Sequence, residues 1–327
     1  QLHAYVARLT SSIAQTISKL SIIQAIETDS EEQLARLQTQ LRAPWGISRL
    51  SYKHRQLGSD KYNYKYDDRG GANSTVYVLD SGIEISHSEF RPAGHRAKWG
   101  INLASDHADF DVNGHGTHVA AIIGGKQFGL AKSTHLVAVK MFDKQGRGRL
   151  SDLLSAFRWI IQDHDSSKTR HSIINFSGVG KPSQIRNLFI QAALDAGIVV
   201  IAAAGNNRGS DACTSGFGYF KSLSSTANGL LLVGSSTSTD AIADFSNNGP
   251  CVDLFAPGVD IRSAFINGQS KLSSGTSLSA AHVSGVVANL WTVMDNWTPT
   301  QIAQSMRAAN PGLVTGSLEG ANNALLY

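Results

Sequence analysis

Thr75-Val76-Tyr77-Val78-Leu79-Asp80-Ser81-Gly82 decides the fold. Five strand-forming residues run without a polar break into an aspartate and a glycine turn, the pattern of a strand buried inside an α/β sheet. Further apolar strand candidates are His135–Met141, Ile173–Phe176, Ile198–Ala203 and Leu230–Val233. Helix candidates between or after them are His115–Ile123, Ser151–Gln162, Gln184–Ala196, Ser277–Val293 and Thr300–Ala308. This alternation predicts an α/β fold, a mostly parallel sheet with helices on both faces. Active residues of such sheets gather at the carboxyl ends of strands, where Asp80 stands.

Two more segments join Asp80. Asn113-Gly114-His115-Gly116-Thr117-His118-Val119 and Ser274-Gly275-Thr276-Ser277 each bring a reactive side chain to a glycine-rich turn where a loop becomes a helix. A hydroxyl is a poor nucleophile until a histidine takes its proton, and a buried carboxylate orients that histidine and stabilises its charged form. Each piece alone has an ordinary reading. Asp80 suits a turn or helix cap, and glycine-serine turns are common. His115 and His118 suit a metal pair, although the i, i+3 spacing lacks the glutamate of a zinc-hydrolase helix. The combination is specific, because Ala202-Ala203-Ala204-Gly205-Asn206 follows a strand and offers a side-chain amide to an oxyanion.

The 327 residues are 42% hydrophobic and 17% charged, enough for a large core and unlike a disordered chain. A net charge of +4 with scattered basic residues carries no nucleic-acid signature, and no nucleic-acid partner is expected. The longest apolar stretch, Ile198 to Ala204, is too short to span a membrane, and no membrane partner is expected either. The chain opens on Gln1 without a signal-peptide pattern, so its start is expected not to be that of the gene product. The two cysteines, Cys213 and Cys251, are by composition either a buried free pair or a disulfide.

Residues 1–30 differ from the rest. His3–Leu9 alternates like a strand, Thr10 or Ser11 suits the cap of a helix carrying Ile13, Ile17 and Leu20, and Ile22–Glu27 reads as a second strand. So small an α+β unit is expected to pack on the larger domain. Glu31–Leu41 is polar and helix-permissive and suits a linker.

Taken together, these motifs resemble the subtilases, the subtilisin-like serine peptidase family, and within it the proteinase K and cerevisin branch typical of fungi. The order Asp80, His115, Ser277 is also that of subtilisin. Ala43–Leu50, Val78–Phe90, Asp111–Ala121, Cys251–Gly258 and Ala321–Tyr327 carry the likeness across residues 43–327. Ala4–Thr10 and Ile23–Asp29 resemble the last half of the family's inhibitory propeptide. The resemblance thus divides the chain into a propeptide part at 1–30, a linker with the processing region at 31–42 and a peptidase domain at 43–327. The other reading of residues 1–30 is an extension of no special role.

The resemblance implies a self-processed serine endopeptidase working through an acyl-enzyme. Ser277 is the nucleophile, His115 the general base and Asp80 its orienter, with His118 a packing residue. The Asn206 amide and the Ser277 backbone N–H form the oxyanion hole. Polypeptide substrate adds as a strand between Gly146-Arg147-Gly148 and Ser177-Gly178-Val179. Arg147 either favours acidic substrate groups or is simply solvated. The propeptide is implied as an intramolecular inhibitor and the enzyme as a monomer. No cofactor is required for catalysis, and Asp253 marks a candidate structural calcium site. Relatives with cysteines at both places join them, which implies a Cys213–Cys251 disulfide worth ~3–4 kcal/mol in the chain-entropy model. That bond and the acceptor sequons at Asn73 and Asn296 fit a secreted glycoprotein, extracellular or vacuolar. Asn175 also fits the sequon but is expected in a buried strand.

Four departures bear on activity. The family's Met-Ala-x-Pro-His after the nucleophile is Leu278-Ser279-Ala280-Ala281-His282 here, without the proline lock. Its Ser-Leu-Gly-Gly edge is Ser177-Gly178-Val179-Gly180, which adds a side chain at Val179 and removes an apolar wall at Gly178. Thr214–Asn228 is longer than usual and reads as either a substrate loop or a surface insertion, and Ala121 stands where glycine is common. Two competing functions follow: a weak or inactive homologue kept as a binding or scaffold protein, and a metal-dependent hydrolase using His115 and His118.

Overall fold

The computed structural model describes residues 7–23, 26, 37–56, 62–91, 96–166, 171–214, 216–223, 227–309 and 311–327. It divides into two units, residues 1–36 and 37–327. In the first, helix α1 (Ser11–Ile17) starts where expected, with the Thr10 hydroxyl accepting the Ile13 N–H. Of the two expected flanking strands, only parts fall among the described residues. Residues 7–9 and Ile23 have no strand geometry, and Ile22 lies in a turn. The remainder of both segments, Ile26 excepted, lies outside the described residues.

The larger unit opens with strand β1 (Leu37–Gln40), helix α2 (Trp45–Arg49) and strand β2 (Tyr64–Asp67), the two strands pairing antiparallel. Leu37–Gln40 was expected in a helix-permissive linker. Pairing with β2 overrides that local preference, since strand formation depends on a partner more than on propensity.

Around the deciding stretch, β3 (Ser74–Asp80), β4 (Ala97–Asn102), β5 (His135–Lys140), β6 (His171–Phe176), β7 (Val199–Ala203), β8 (Leu230–Ser236) and β9 (Leu254–Pro257) form one sheet. Its order is β4-β5-β3-β6-β7-β8-β9, and every pair is parallel. The chain leaves β3 toward β4 and β5 on one side and continues from β6 on the other. That reversal opens a crevice at the carboxyl end of β3, the place where α/β sheets bind ligands.

Period-two alternation splits each strand between two cores. Val76, Val78, Leu136, Ala138 and Ile201 face one way, against α3 (His115–Gly124) and α7 (Thr276–Val293). Tyr77, Leu79, Val137, Val139 and Val200 face the other, against α4 (Leu150–Ser166) and α5 (Gln184–Asp195). Each large aliphatic side chain withdrawn from water this way contributes about 1.5–3 kcal/mol. Helix α6 (Gly216–Leu223), helix α8 (Pro299–Arg307) and the antiparallel hairpin β10 (Ile261–Phe265)–β11 (Gln269–Ser273) complete the unit. α7 runs unbroken through buried Ala281 despite the missing proline.

Candidate active site

β3 delivers Asp80 into the crevice with its side chain only 1% exposed. α3 begins at His115 and α7 one residue before Ser277, so two helix starts converge on one strand end. His115 Nδ1 lies 2.8 and 2.9 Å from the two Asp80 oxygens, and His115 Nε2 lies 3.1 Å from Ser277 Oγ. Both ring nitrogens are therefore engaged, which leaves none for a metal. Because Asp80 can only accept, Nδ1 carries the hydrogen and Nε2 is left to take one from the hydroxyl. Burial opposes the imidazolium. The Asp80 charge and hydrogen bond, helped by Asp111, outweigh that cost and hold the His115 pKa above its usual value.

Close backbone approach makes this geometry possible. A side chain on Gly116 would run into the Gly82 carbonyl and come within 3.1 Å of Asp80 Cβ. Asp111, 4% exposed, organises the same junction. One oxygen accepts from Ser81 Oγ and the N–H groups of Asn113 and Gly114; the other accepts from the Thr117 N–H and hydroxyl. Nothing in the local sequence marks it out from any other loop aspartate. Its partners come from both the β3 turn and the α3 start, and only folding joins them.

Asn206 follows β7. Its Oδ1 accepts from the backbone N–H and the hydroxyl of Thr276, 2.9 Å each, which fixes the amide orientation because an N–H must donate. The Nδ2 donors are thereby turned toward Ser277. A single point, where a β-carbon on Gly275 would sit, lies 3.2 Å from Ser277 Oγ, 3.4 Å from Asn206 Nδ2 and 4.0 Å from Ser277 N. A reacting carbonyl placed there meets the hydroxyl and two donors at once.

His118 is 2% exposed and packs within reach of the Ile261 backbone. Burial, then the neighbouring His115 charge, push its pKa down to about 4, so it is a neutral packing group. His282, also buried, is pushed down to about 4 and donates from Nδ1 to the Leu278 carbonyl at 2.7 Å. The start of α7 is further tied down by Ser279 Oγ, which donates to the Ala256 carbonyl at 2.9 Å. These bonds do the locking that the absent proline would otherwise share.

The two expected substrate edges flank the crevice. Gly146, at φ +71°, turns the chain before Arg147, and Arg147 closes a tight loop on Asp143. On the other edge Asn175 Nδ2 donates to Ser177 Oγ at 3.3 Å, and Val179 is 59% exposed. Gly178 does not leave a gap. The Phe142 and Phe176 rings rise beneath it, each within 2.7 Å of where its β-carbon would be. The apolar wall thus comes from the end of β6 itself and from the loop after β5, which position-by-position reading missed.

Asp253 needs correcting as a calcium ligand. Its carboxylate, 2% exposed, meets Lys221 Nζ and Arg307 Nε on one oxygen and accepts the Leu232 N–H on the other. Two side-chain cations already neutralise it, so the donor set does not fit a divalent ion. Cys213 and Cys251 are bonded, with Cα atoms 5.3 Å apart. Asn73 and Asn296 are exposed and Asn175 is fully buried. No helix among the described residues is long and apolar enough to cross a membrane.

Residues 71–322 match the model of the peptidase S8 subtilase family. The subtilase-type proteinase isp6 of Schizosaccharomyces pombe is 37% identical over 87% of this chain and 59% of its own length. The alkaline extracellular protease of Yarrowia lipolytica is 36% identical over 98% of this chain and 71% of its own. A crystal structure of a cold adapted subtilisin-like serine proteinase superposes with a TM-score of 0.76 at 35% identity, covering 88% of this chain and 98% of that one. The chain spans less than two thirds of the isp6 proteinase.

Proposed function

The chain belongs to the subtilase family, and on that premise we propose that it is a serine endopeptidase in which Ser277 attacks, His115 shuttles the proton and Asp80 holds His115. The observation that carries the reading is the imidazole bridging Asp80 at 2.8 Å and Ser277 at 3.1 Å. As Ser277 Oγ bonds to the substrate carbonyl carbon, its proton passes to His115 Nε2 and the carbonyl electrons move to oxygen. That oxyanion lies against Asn206 Nδ2 and the Ser277 N–H. Collapse breaks the C–N bond, and the leaving amine takes the proton from His115. Water then repeats the sequence on the acyl-enzyme and releases Ser277. In subtilisin itself the corresponding amide is worth about 10²–10³ in kcat.

Substrate polypeptide lies extended between Gly146–Gly148 and Ser177–Val179. Residues 1–30 are the end of an inhibitory propeptide, and the chain cuts itself in the 30–43 span to free the peptidase domain. Catalysis uses no cofactor, and the enzyme is a monomer. The disulfide and the exposed sequons at Asn73 and Asn296 support a secreted glycoprotein, extracellular or vacuolar.

A fluorophosphonate serine probe with mass mapping tests this. An adduct on Ser277 that disappears in His115→Ala, together with self-cleavage that stops in Ser277→Ala, is expected. A folded, N-terminally trimmed protein that takes no adduct would overturn the peptidase reading in favour of a binding protein.

A further inference from the structure

A cavity of about 260 Å³ lies between the two substrate edges, bounded by Gly148 and Arg149 on one side and Val179 to Arg186 on the other. Phe142, Phe176 and Leu153 form its apolar part. It adjoins the reaction site: Val179 Cγ1 is 3.4 Å from where a side chain on Gly205 would start, one residue before Asn206. A strand laid between the edges therefore has room for one of its side chains here.

The charge of this cavity is one-sided. Arg149, Lys181 and Arg186 line it, and no carboxylate among the described residues does. The nearest acidic group along the chain, Asp152, turns to the Arg149 N–H instead. Arg186 is only 8% exposed, yet it pairs with no carboxylate among the described residues. Its Nη1 donates to the Lys181 carbonyl at 2.6 Å, while Nε is buried without a partner. Nη2 lies against Gly180, 2.5 Å from where a β-carbon would be, so the glycine makes room for the guanidinium. Arg186 also stands in the first turn of α5, which contains no acidic residue and is capped by Ser183. A cation there is disfavoured by burial and by the positive end of the helix dipole. Both costs are relieved by an anion supplied from outside.

We propose that this cavity selects an acidic side chain of the substrate, with Arg186 as the anchoring cation and Arg149 and Lys181 at the rim. A glutamate lays its methylenes along Phe142 and Phe176 and brings its carboxylate to the Arg186 guanidinium, a charge-assisted pairing. The inference rests on the peptidase reading for the identity of the occupant. Arg147, the arginine singled out from sequence, does not line the cavity.

The test uses the processed protein and a set of internally quenched peptides in which glutamate replaces glutamine at each position in turn. One position is expected to raise kcat/KM about tenfold or more, the scale of one charge-assisted pair. Arg186→Met should bring the Glu/Gln ratio close to one and Arg186→Lys restore part of it, whatever happens to absolute rates. Arg149→Gln, at an exposed rim position, lowers the ratio without touching the interior and covers the case in which Arg186→Met does not fold. The same peptides are titrated onto Ser277→Ala by fluorescence anisotropy. Cleavage with no glutamate preference at any position overturns the cavity assignment and leaves the peptidase standing. Glutamate-selective binding to Ser277→Ala without turnover by the parent overturns the peptidase and leaves the cavity. A preference unaffected by all three variants removes Arg186 from the account.

Discussion

At the residue scale, Gly275 concentrates the chemistry in one missing side chain. Its φ of 160° is extended backbone, so alanine meets no conformational penalty there. Its β-carbon would nonetheless occupy the point facing Ser277 Oγ, Asn206 Nδ2 and Ser277 N. Gly275→Ala should leave the urea midpoint nearly unchanged and lower kcat/KM by ~10²-fold or more, comparable to losing an oxyanion donor; an unaffected rate would mean the carbonyl does not bind there. His115 makes a second prediction. Catalysis needs the neutral imidazole, and the His115 pKa is held above the ordinary ~6.5. The acid limb of kcat/KM should therefore have its midpoint above that value, and a midpoint below it would contradict the dominance of Asp80 over burial. The stability sign is opposite. A raised folded pKa makes its contribution fully present below the unfolded value and loses it as pH rises through the folded value, so the site is most stabilising where it is least active. Asp80, His115, Ser277 and Asn206 were legible because each sits in a short glycine-rich segment whose neighbours define its setting. Asp111, Arg186 and the Phe142–Phe176 wall were not, since their roles depend on groups from other elements.

The segment after Cys213 shows what a local reading loses at the element scale. As sequence, Thr214–Asn228 is either a substrate loop or a surface insertion. Part of it is α6, whose Phe217 packs 4.8 Å from Phe176 and so backs the apolar wall of the acid-selective cavity. Lys221 fixes the helix from its other face, meeting Asp253 and donating to the Cys251 carbonyl at 3.0 Å. The aspartate that looked like a metal ligand is thus the anchor shared by α6, α8 and β8. Asp253→Ala leaves Lys221 and Arg307 facing one another and the Leu232 N–H unmet. We expect it to cost about 3–5 kcal/mol, the range for breaking a buried ion pair. Lys221→Met leaves the carboxylate with Arg307 and Leu232, and Lys221 is 17% exposed, so a smaller loss of about 1–2 kcal/mol follows. Urea titrations that agree in slope but differ in midpoint would measure both. An Asp253→Ala midpoint equal to wild type would remove the anchoring role.

For the whole molecule, the five strands β3, β5, β6, β7 and β8 and their helices were readable because strands buried on both faces are apolar throughout. The sheet margins were not. In β4, Lys98 and Gly100 interrupt the apolar run, and most of the strand is only half-buried. β9 is four residues ending in Pro257. Edge strands carry solvent-facing residues and breakers, and so lose the pattern that identifies the centre. β9 is also where the disulfide acts. Cys251 stands three residues before it, and its partner Cys213 opens the stretch that contains α6, closing a loop of 38 residues. Within that loop lie α6, β8 and the turns that lead from the sheet's centre to its margin. Without the bond the unfolded chain regains loop freedom worth ~3–4 kcal/mol, while the native core still holds Cys251 at 5% exposure. The Cys213→Ser, Cys251→Ser double variant should therefore fold to the same structure with its unfolding free energy from urea titration lowered by that amount. Because the entropy belongs to the unfolded state, refolding should slow while unfolding in high denaturant changes less, provided the loop is closed before the transition state. A variant as stable as the parent would mean that the Lys221–Asp253–Arg307 anchor alone closes the margin. The protein would then need no oxidising compartment, and the disulfide's support for a secretory destination would be lost.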